Sequence, residues 1–279
     1  ESKLLKDFPP IFMKAKKFKD PAIVTDCNGC ILLWYLPGLF LEETQTALFQ
    51  SINSLEKSLK VVGGQPSSWR TSNAYFQMRP EWLKPGNVTL SPTWFQQAHE
   101  VTQKSNKMEV SKALRKEENI SWLETNINRF ALFGAVLSVT QPDLYFAGCQ
   151  TLEAINKASH TINHAEYLPA ILSIWASPYT VINVISNRET PVHHDNGSGY
   201  SCLDTLLALG TYSSGVFHLP SLGMQLAYLP RTVIYMASRV LPHAASCDGN
   251  QACVAFYMRQ NVMNALDITC PEWGNINRY

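Results

Sequence analysis

Residues 215–237 read GVFHLPSLGMQLAYLPRTVIYMA, which is a series of three short apolar runs separated by turn residues. Pro220 and Gly223 lie in the first break, and Pro230 lies in the second. Short apolar runs bounded by Gly and Pro are typical of β-strands. The stretch therefore predicts consecutive strands.

The same pattern extends over residues 170–262. Strands are predicted at Ile171–Ala176, Thr180–Ile185, Leu203–Leu209, Gly215–Leu219, Met224–Leu229, Thr232–Ala237 and Ala252–Met258. Many short strands at regular spacing indicate a sandwich or a barrel.

Residues 41–165 are predicted to be mainly helical. Residues 41–60 carry apolar side chains at helical spacing, at Leu48, Ile52, Leu55 and Leu59. Further helices are predicted over 93–104, 108–139 and 150–166, the first of them starting at Ser91-Pro92. Helices followed by strands favour an α+β fold in which helices brace a β-barrel.

Residues 1–40 combine a lysine-rich leader with a predicted β-hairpin. The two arms of the hairpin are Ala22–Asp26 and Ile31–Leu36, and Asn28-Gly29 lies between them. An Asn-Gly pair between two apolar runs is a strong hairpin signal.

Composition limits the class of protein. The chain has 279 residues, of which 46% are hydrophobic and 16% charged, with a formal net charge of +1. These values exclude a disordered chain and a strongly basic protein, but not a local basic patch. The longest apolar stretches fall short of the roughly 20 residues of a membrane span. Seven cysteines and no signal-peptide pattern predict a reducing compartment, cytosol or nucleus.

Residues 190–197 read TPVHHDNG and contain a candidate metal site. His193 and Asp195 are two residues apart, so on an extended strand both side chains point the same way. His243 follows a later strand-like run and is the candidate third ligand. Two histidines and one carboxylate form the facial triad of non-haem Fe(II) oxygenases. His194 would face the other way and be packed or hydrogen-bonded.

Arg259 follows the last apolar strand. A guanidinium is rarely buried without an anionic partner. The distal carboxylate of a small dicarboxylate would satisfy it through a forked salt bridge. The alternative is an edge arginine paired with an aspartate or with water.

Other residues compete for a metal. His218 is the rival third ligand. His160 and His164 are four apart on a predicted helix, but no acidic residue lies between them, which favours a solvated face. Cys27 and Cys30 could belong to a zinc site, although the Asn-Gly between them already explains a turn.

Residues 61–90 are predicted to form a loop in which aromatic and basic residues alternate. These residues are Trp69, Arg70, Tyr75, Phe76, Arg79, Trp82 and Lys84. Such interleaving is a weak sign of nucleic-acid binding. The alternative is a surface loop whose aromatic side chains are tucked inward.

Residues 215–243 resemble the distal half of the double-stranded β-helix in fungal members of the TET/JBP dioxygenase family. Residues 25–37 are similar to the leader of those proteins. The similarity covers most of the chain and is strongest over 180–262. It departs at Arg231, where the family pattern has Gly in the turn before a strand.

The resemblance implies a double-stranded β-helix, or jelly-roll, core braced by N-terminal helices. A single domain would span residues 1–279. Its parts would be the basic leader and hairpin (1–40), helical support and substrate-side loops (41–169), the core (170–262) and a C-terminal tail (263–279).

The resemblance also implies a ligand set. Fe(II) would bind His193, Asp195 and His243, and 2-oxoglutarate would bind the iron with its far end held by Arg259. O₂ would be the second co-substrate, and Asn183 would contact 2-oxoglutarate.

The family oxidises the methyl group of a modified DNA base, so the resemblance implies oxidation of 5-methylcytosine to 5-hydroxymethylcytosine and further, in DNA demethylation. N6-methyladenine is the alternative base. A base must be flipped out of the duplex to reach a buried iron. The candidate substrate-binding residues are Trp69, Arg70, Tyr75, Phe76, Asn196 and Ser198. The candidate phosphate contacts are Lys14, Lys16, Lys17, Arg70, Arg79 and Lys84. We expect a nuclear monomer that binds double-stranded DNA and no membrane.

Three other functions compete with this one. A protein or small-molecule hydroxylase could use the same iron scaffold, because fold does not determine function. A non-catalytic reader of modified DNA would bind without turnover. A cupin-like storage or sugar-binding barrel would leave Arg259 without a role.

Overall fold

The computed structural model describes residues 17–61, 68–95 and 107–279. The strands within these residues are β1 (Lys17–Phe18), β2 (Ala22–Thr25), β3 (Ile31–Leu36), β4 (Gly86–Leu90), β5 (Val181–Ser186), β6 (Thr190–His193), β7 (Asp204–Gly210), β8 (Gly215–Leu219), β9 (Met224–Ala227), β10 (Val233–Met236), β11 (His243–Cys247) and β12 (Gln251–Tyr257). The α-helices are α1 (Glu42–Ser51), α2 (Glu117–Thr125), α3 (Ile127–Thr140), α4 (Pro142–Lys157), α5 (Leu168–Ile174) and α6 (Gln260–Ala265).

Strands β5 to β12 are divided between two sheets. Strands β5, β7, β10 and β12 belong to one sheet, and β6, β8, β9 and β11 belong to the other. The strands within each group pair antiparallel. Leu206 of the first sheet and Phe217 of the second share one buried cluster, so the sheets pack face to face. This arrangement is a jelly roll, which confirms the α+β fold with a double-stranded β-helix core.

The first sheet also takes strands from earlier in the chain. Its order is β2-β3-β10-β7-β12-β5-β4, and the second sheet has the order β1-β9-β8-β11-β6. The hairpin β2–β3 therefore extends one edge, and β4 extends the other. The hairpin prediction is confirmed, with Gly29 at the turn in a left-handed conformation (φ 79°) that glycine adopts readily.

Strand β7 is buried at every residue because both faces of its sheet are covered. Leu206 and Ala208 face the second sheet, whereas Leu207 and Leu209 belong to the cluster on the helical side. On that side, Phe130 and Phe133 of α3 contact Phe256 of β12 with ring centroids 5.5 and 5.9 Å apart. The helices thus brace the sheet that contains β5 and β12.

One predicted strand and one predicted loop are wrong. Ile171–Ala176 was predicted as a strand, but residues 168–174 form α5. Leu168, Ile171 and Trp175 are buried at helical spacing, which a short apolar run does not reveal. Gly86–Leu90 was predicted as loop, but it forms β4.

The predicted helices agree with the structure only in part. Thr93–Phe95 are not helical, and Trp94 instead bridges to Glu109. Residues 96–106 of that predicted helix lie outside the described residues. The helix predicted over 108–139 begins at Glu117 and is divided at Asn126 into α2 and α3.

Arg231 adopts the left-handed conformation (φ 75°) that a glycine would suit. Its Nε donates a hydrogen bond of 2.6 Å to the carbonyl of Phe40, which precedes α1. The turn expected from the family pattern is therefore retained, and the arginine side chain ties it to the neighbouring segment.

Among the described residues, none of the helices has the length and apolar character needed to cross a membrane.

Candidate metal centre

His193 and His243 are direct cross-strand neighbours. His193 ends β6, His243 begins β11, and the antiparallel register places the two residues opposite each other. Opposed residues of paired strands share a face of the sheet. The imidazole centroids are 4.2 Å apart as a result.

Asp195 completes the group from just beyond the end of β6. Its backbone N–H donates to the carbonyl of Ser238 at 3.1 Å, which holds the segment in place. Its Oδ2 lies 3.6 Å from Nε2 of His193 and 3.6 Å from Nε2 of His243. One ligand atom from each residue lies within 4.8 Å of the others. The structure therefore brings together the three residues that the sequence singled out.

The hydrogen bonds of the two imidazoles engage Nδ1 of each ring and leave Nε2 available to a metal. Nδ1 of His193 lies 2.9 Å from the carbonyl of Pro191, and Nδ1 of His243 lies 3.0 Å from the carbonyl of Leu241. A carbonyl only accepts, so each Nδ1 is assigned the proton and each Nε2 presents a lone pair. Two imidazole nitrogens and a carboxylate oxygen fit a ferrous ion.

The Asp195 carboxylate has a second partner. Nη2 of Arg70 lies 2.9 Å from Oδ1 and 3.3 Å from the carbonyl of His194. Burial raises the pKa of Asp195, but the adjacent His193 and His243 outweigh it and hold the pKa well below its ordinary value. The carboxylate is therefore ionised, as a metal ligand must be.

An aromatic and cationic wall stands beside the histidines. The Trp69 ring contacts the His193 ring edge to face, with centroids 4.8 Å apart. The guanidinium groups of Arg70 and Arg188 lie 4.6 and 5.0 Å from the centre of the Trp69 ring. Tyr75 lies further out, 6.1 Å from Trp69. We call Trp69, Arg70 and Arg188 the Trp69 wall.

The sequence analysis missed Arg188. It is 8% exposed, and burial lowers its pKa to about 10. Its Nη1 donates to the carbonyl of Arg70, while its Nε has no hydrogen-bond partner in the structure. A single arginine between two predicted strands is usual at an exposed turn, so only its burial reveals a role.

Arg259 is also buried, at 8% exposure, and lies directly after β12. None of the ion pairs among the described residues includes Arg259, and its Nε has no hydrogen-bond partner. Its guanidinium lies 5.4 Å from the Trp94 ring and 5.7 Å from the Tyr257 ring. A buried guanidinium without an anion fits a carboxylate ligand such as the far end of 2-oxoglutarate.

Tyr257 lies two residues before Arg259 and is influenced by the charges of both Arg259 and Asp195, and Asn183 is the predicted co-substrate contact. Burial raises the pKa of Tyr257, Arg259 lowers it and Asp195 raises it, so both charges act on one phenol. Asn183 lies opposite Ala255, which faces the space between the sheets. Its Oδ1 accepts a hydrogen bond of 3.3 Å from Thr89. Asn183 therefore lies on the cleft side of its sheet, as a co-substrate contact requires.

Ser198, a predicted substrate contact, lies in the interior next to Asp204. It is buried, and its hydroxyl oxygen lies 2.9 and 2.8 Å from the two side-chain oxygens of Asp204. A buried hydroxyl is satisfied by such an acceptor rather than left open to a ligand. Asn196, by contrast, is exposed.

His218 is not a ligand of this group. It belongs to β8, whose Phe217 is buried and stacks on the His243 ring with centroids 5.6 Å apart. Alternation along the strand turns His218 to the other face, where it lines a cavity with Val192 and Met224. His194 is hydrogen-bonded to the carbonyl of Arg239, as expected.

Among the described residues, the other two candidate metal-binding pairs, His160 with His164 and Cys27 with Cys30, belong to no candidate metal cluster. His160 lies in a 3₁₀ turn and His164 outside any helix, so they share no helix face. The backbone N–H groups of Asn28 and Cys30 donate to Asp26, which confirms a turn at the Cys27–Cys30 pair. Among the described residues, these cysteines belong to no candidate metal cluster.

The predicted phosphate contacts are scattered. Arg79 lies 4.8 Å from the Trp82 ring, and Lys84 donates to the carbonyl of Glu56. Lys17 lies in β1 at the edge of the second sheet. Lys14 and Lys16 lie outside the described residues.

Comparison with known proteins identifies a family and solved structures of similar fold. Residues 91–260, more than half of the chain, match the Tet_JBP model, described as the oxygenase domain of the 2OGFeDO superfamily. The solved structure of NgTET1 in complex with 5mC DNA is similar, with a TM-score of 0.56 and 14% sequence identity over 94% of this chain and 88% of that chain. At this identity the likeness shows the fold alone. The curated proteins contain no match to the chain.

Proposed function

Because the chain belongs to the Tet_JBP oxygenase family, we propose that it oxidises the methyl group of a modified base in double-stranded DNA. Membership makes the protein a 2-oxoglutarate-dependent dioxygenase that uses Fe(II), 2-oxoglutarate and O₂. The base proposed is 5-methylcytosine, converted to 5-hydroxymethylcytosine and further. A monomeric state and a nuclear location are part of this proposal.

His193, Asp195 and His243 would hold the iron through two Nε2 atoms and Oδ2. Arg259 would bind the distal carboxylate of 2-oxoglutarate in a forked ion pair, and Asn183 would line the same pocket. Iron and co-substrate supply the oxidising chemistry when bound, and the protein supplies position and exclusion of water.

The observation that carries the DNA proposal is the Trp69 wall. A flipped-out base needs a flat surface within reach of the metal, and Trp69 touches a candidate ligand, His193, at a centroid distance of 4.8 Å. Bases stack on aromatic rings and guanidinium planes, and both are present in the wall. The relative NgTET1, whose structure is described as a complex with 5mC DNA, supports the same substrate class.

Further cations on aromatic rings lie outside the wall. Arg239 lies 4.0 Å from the ring of the exposed Tyr200, and Arg79 lies over Trp82. With a net charge of only +1, these local cations would give moderate, salt-sensitive affinity for the DNA backbone.

The test is product analysis on defined duplexes. The protein is supplied with Fe(II), 2-oxoglutarate and O₂ and incubated with duplexes that carry 5-methylcytosine, N6-methyladenine or no modification. Mass spectrometry of nucleosides should detect 5-hydroxymethylcytosine, and succinate should form in proportion.

Two variants sharpen the test. Trp69→Ala should lower base oxidation at least tenfold while 2-oxoglutarate is still consumed, and His243→Ala should lose both. Consumption of 2-oxoglutarate with peptides or small molecules, and no oxidised base from any duplex, would overturn the DNA proposal in favour of a different hydroxylase.

A further inference from the structure

Two cysteines from distant parts of the chain meet at the loop that follows Asp195. Cys202 lies near the end of the loop of residues 196–203 that follows Asp195, here called the metal-side loop, and Cys270 lies in the C-terminal segment 266–279. Their Sγ atoms are 3.5 Å apart. We propose that Cys202 and Cys270 are an oxidisable pair that forms a disulfide with hydrogen peroxide and ties the metal-side loop to the C-terminal segment.

The sulfur atoms are close enough to bond after a small movement. A disulfide has a sulfur–sulfur distance of about 2 Å, so the two atoms need to approach by about 1.5 Å. Space for the pair depends on Gly199, since a Cβ there would lie 2.7 Å from Sγ of Cys270 and 2.8 Å from Sγ of Cys202. The loop therefore passes close over both sulfurs without a side chain.

The two thiols differ in access and acidity. Cys270 lines a surface cavity of about 410 Å³, so a small oxidant can reach it. The neighbouring Cys202 thiol lowers the pKa of Cys270 to about 7; burial opposes this, and Gln260 and Arg239 add to the lowering. Cys202 is fully buried, and its contact with Cys270 raises its own pKa. Cys270 is therefore the attacking thiolate and Cys202 the resolving thiol.

The oxidation balances in two steps. The Cys270 thiolate attacks one oxygen of hydrogen peroxide, and the O–O bond breaks. Hydroxide is the leaving group, and Cys270 becomes a sulfenic acid. The sulfur of Cys202 then attacks the sulfenic sulfur, the S–S bond forms, the S–O bond breaks, and water leaves with the Cys202 proton. Two thiols are oxidised while one peroxide is reduced to two waters, and a dithiol reverses the reaction.

The disulfide would make an existing contact covalent. The hydroxyl of Ser201 donates to the carbonyl of Pro271 at 2.5 Å, and the N–H of Gln260 donates to the carbonyl of Gly197 at 3.1 Å. The metal-side loop also carries the exposed Asn196 and Tyr200. Oxidation would therefore fix the position of side chains next to the metal centre. The proposal does not depend on the identity of the substrate.

The test uses the full chain treated with hydrogen peroxide, blocked with an alkylating agent, digested without reductant and mapped by mass spectrometry. The expected product is one cross-linked peptide pair that joins Cys202 to Cys270 in most molecules and separates with dithiothreitol. Cys270→Ser and Cys202→Ala should each abolish it. Cys149→Ser, at an exposed cysteine of α4, is the matched control and should leave the link intact.

Two results would overturn the proposal. One is accumulation of sulfinic acid on Cys270 while Cys202 stays fully alkylable after denaturation. The other is a disulfide of either residue with a different cysteine in the wild-type chain. Both readings come from peptide masses, so they stand even where a variant folds poorly.

Discussion

Arg70 and Asp195 lie 125 positions apart in the sequence and form an ion pair of 2.9 Å. Arg70 engages Oδ1 of the carboxylate, while Oδ2 faces the imidazoles of His193 and His243 at 3.6 Å. The ion pair therefore selects which oxygen is presented to a metal. With side chains 38% and 35% exposed, it adds little to stability, and its effect is on orientation.

Arg70→Ala should weaken metal binding by about tenfold, because residues that orient a ligand typically change metal affinity by that order. Titration with Co(II) or Mn(II), followed by absorbance or calorimetry, measures the dissociation constant. Arg79→Ala is the control, since Arg79 lies over the Trp82 ring and, among the described residues, forms no ion pair with Asp195. Equal effects of the two variants would show that only general positive charge matters.

His243→Ala should reduce succinate formation to about 1% of wild type or less and should abolish tight metal binding, because it removes one of three candidate ligands. His218→Ala should retain activity within about twofold, since His218 faces the outside of the second sheet. The two variants together show whether His243 or His218 is the third metal ligand, which the sequence alone left open. Loss of metal in the His218 variant with retention in the His243 variant would reverse the assignment.

Arg259→Lys should raise the KM for 2-oxoglutarate by about 10- to 100-fold with a smaller effect on kcat, because lysine cannot form the forked ion pair. Arg188→Lys should instead raise the KM for DNA, since Arg188 lies over the Trp69 ring. Steady-state kinetics with each substrate varied in turn separates the two. If Arg188→Lys alone changed the KM for 2-oxoglutarate, the assignment of Arg259 would be wrong.

Asp204→Asn should stabilise the protein more at pH 7 than at pH 4.5. Burial raises the pKa of Asp204 well above its ordinary value of 3.8, and the charge of Asp195 adds to this. The folded state keeps the proton while the unfolded state releases it, so the contribution of Asp204 to the free energy of unfolding falls as the pH rises above about 4. Asparagine does not titrate and removes this loss.

Urea unfolding at several pH values measures that difference. The free energy of unfolding of the variant minus that of wild type should increase with pH. Asp143→Asn, at an exposed carboxylate, is the control and should show a much smaller change. A flat difference for Asp204→Asn would indicate that Ser198 and Ser238 already stabilise the ionised form.

Much of the site was predictable because its signals are local. The spacing of His193 and Asp195 implies a shared side on extended backbone, and both converge in the structure. Arg259 stood out as a cation at the end of an apolar strand. Ser198 shows what spacing does not reveal: it meets Asp204, six positions later in the sequence, because of the conformation of the metal-side loop.

Local pattern was sufficient for the short strands, the hairpin at Asn28-Gly29 and two of the three candidate ligands, since each depends on residues a few positions apart. Long-range packing selected the rest. The pairing of β6 with β11 makes His243, not His218, the partner of His193. Loop packing then brings Trp69 and Arg188 against that histidine pair. The choice of neighbouring strand and the burial of side chains depend on contacts between distant segments, and the local pattern of one strand does not specify its neighbour.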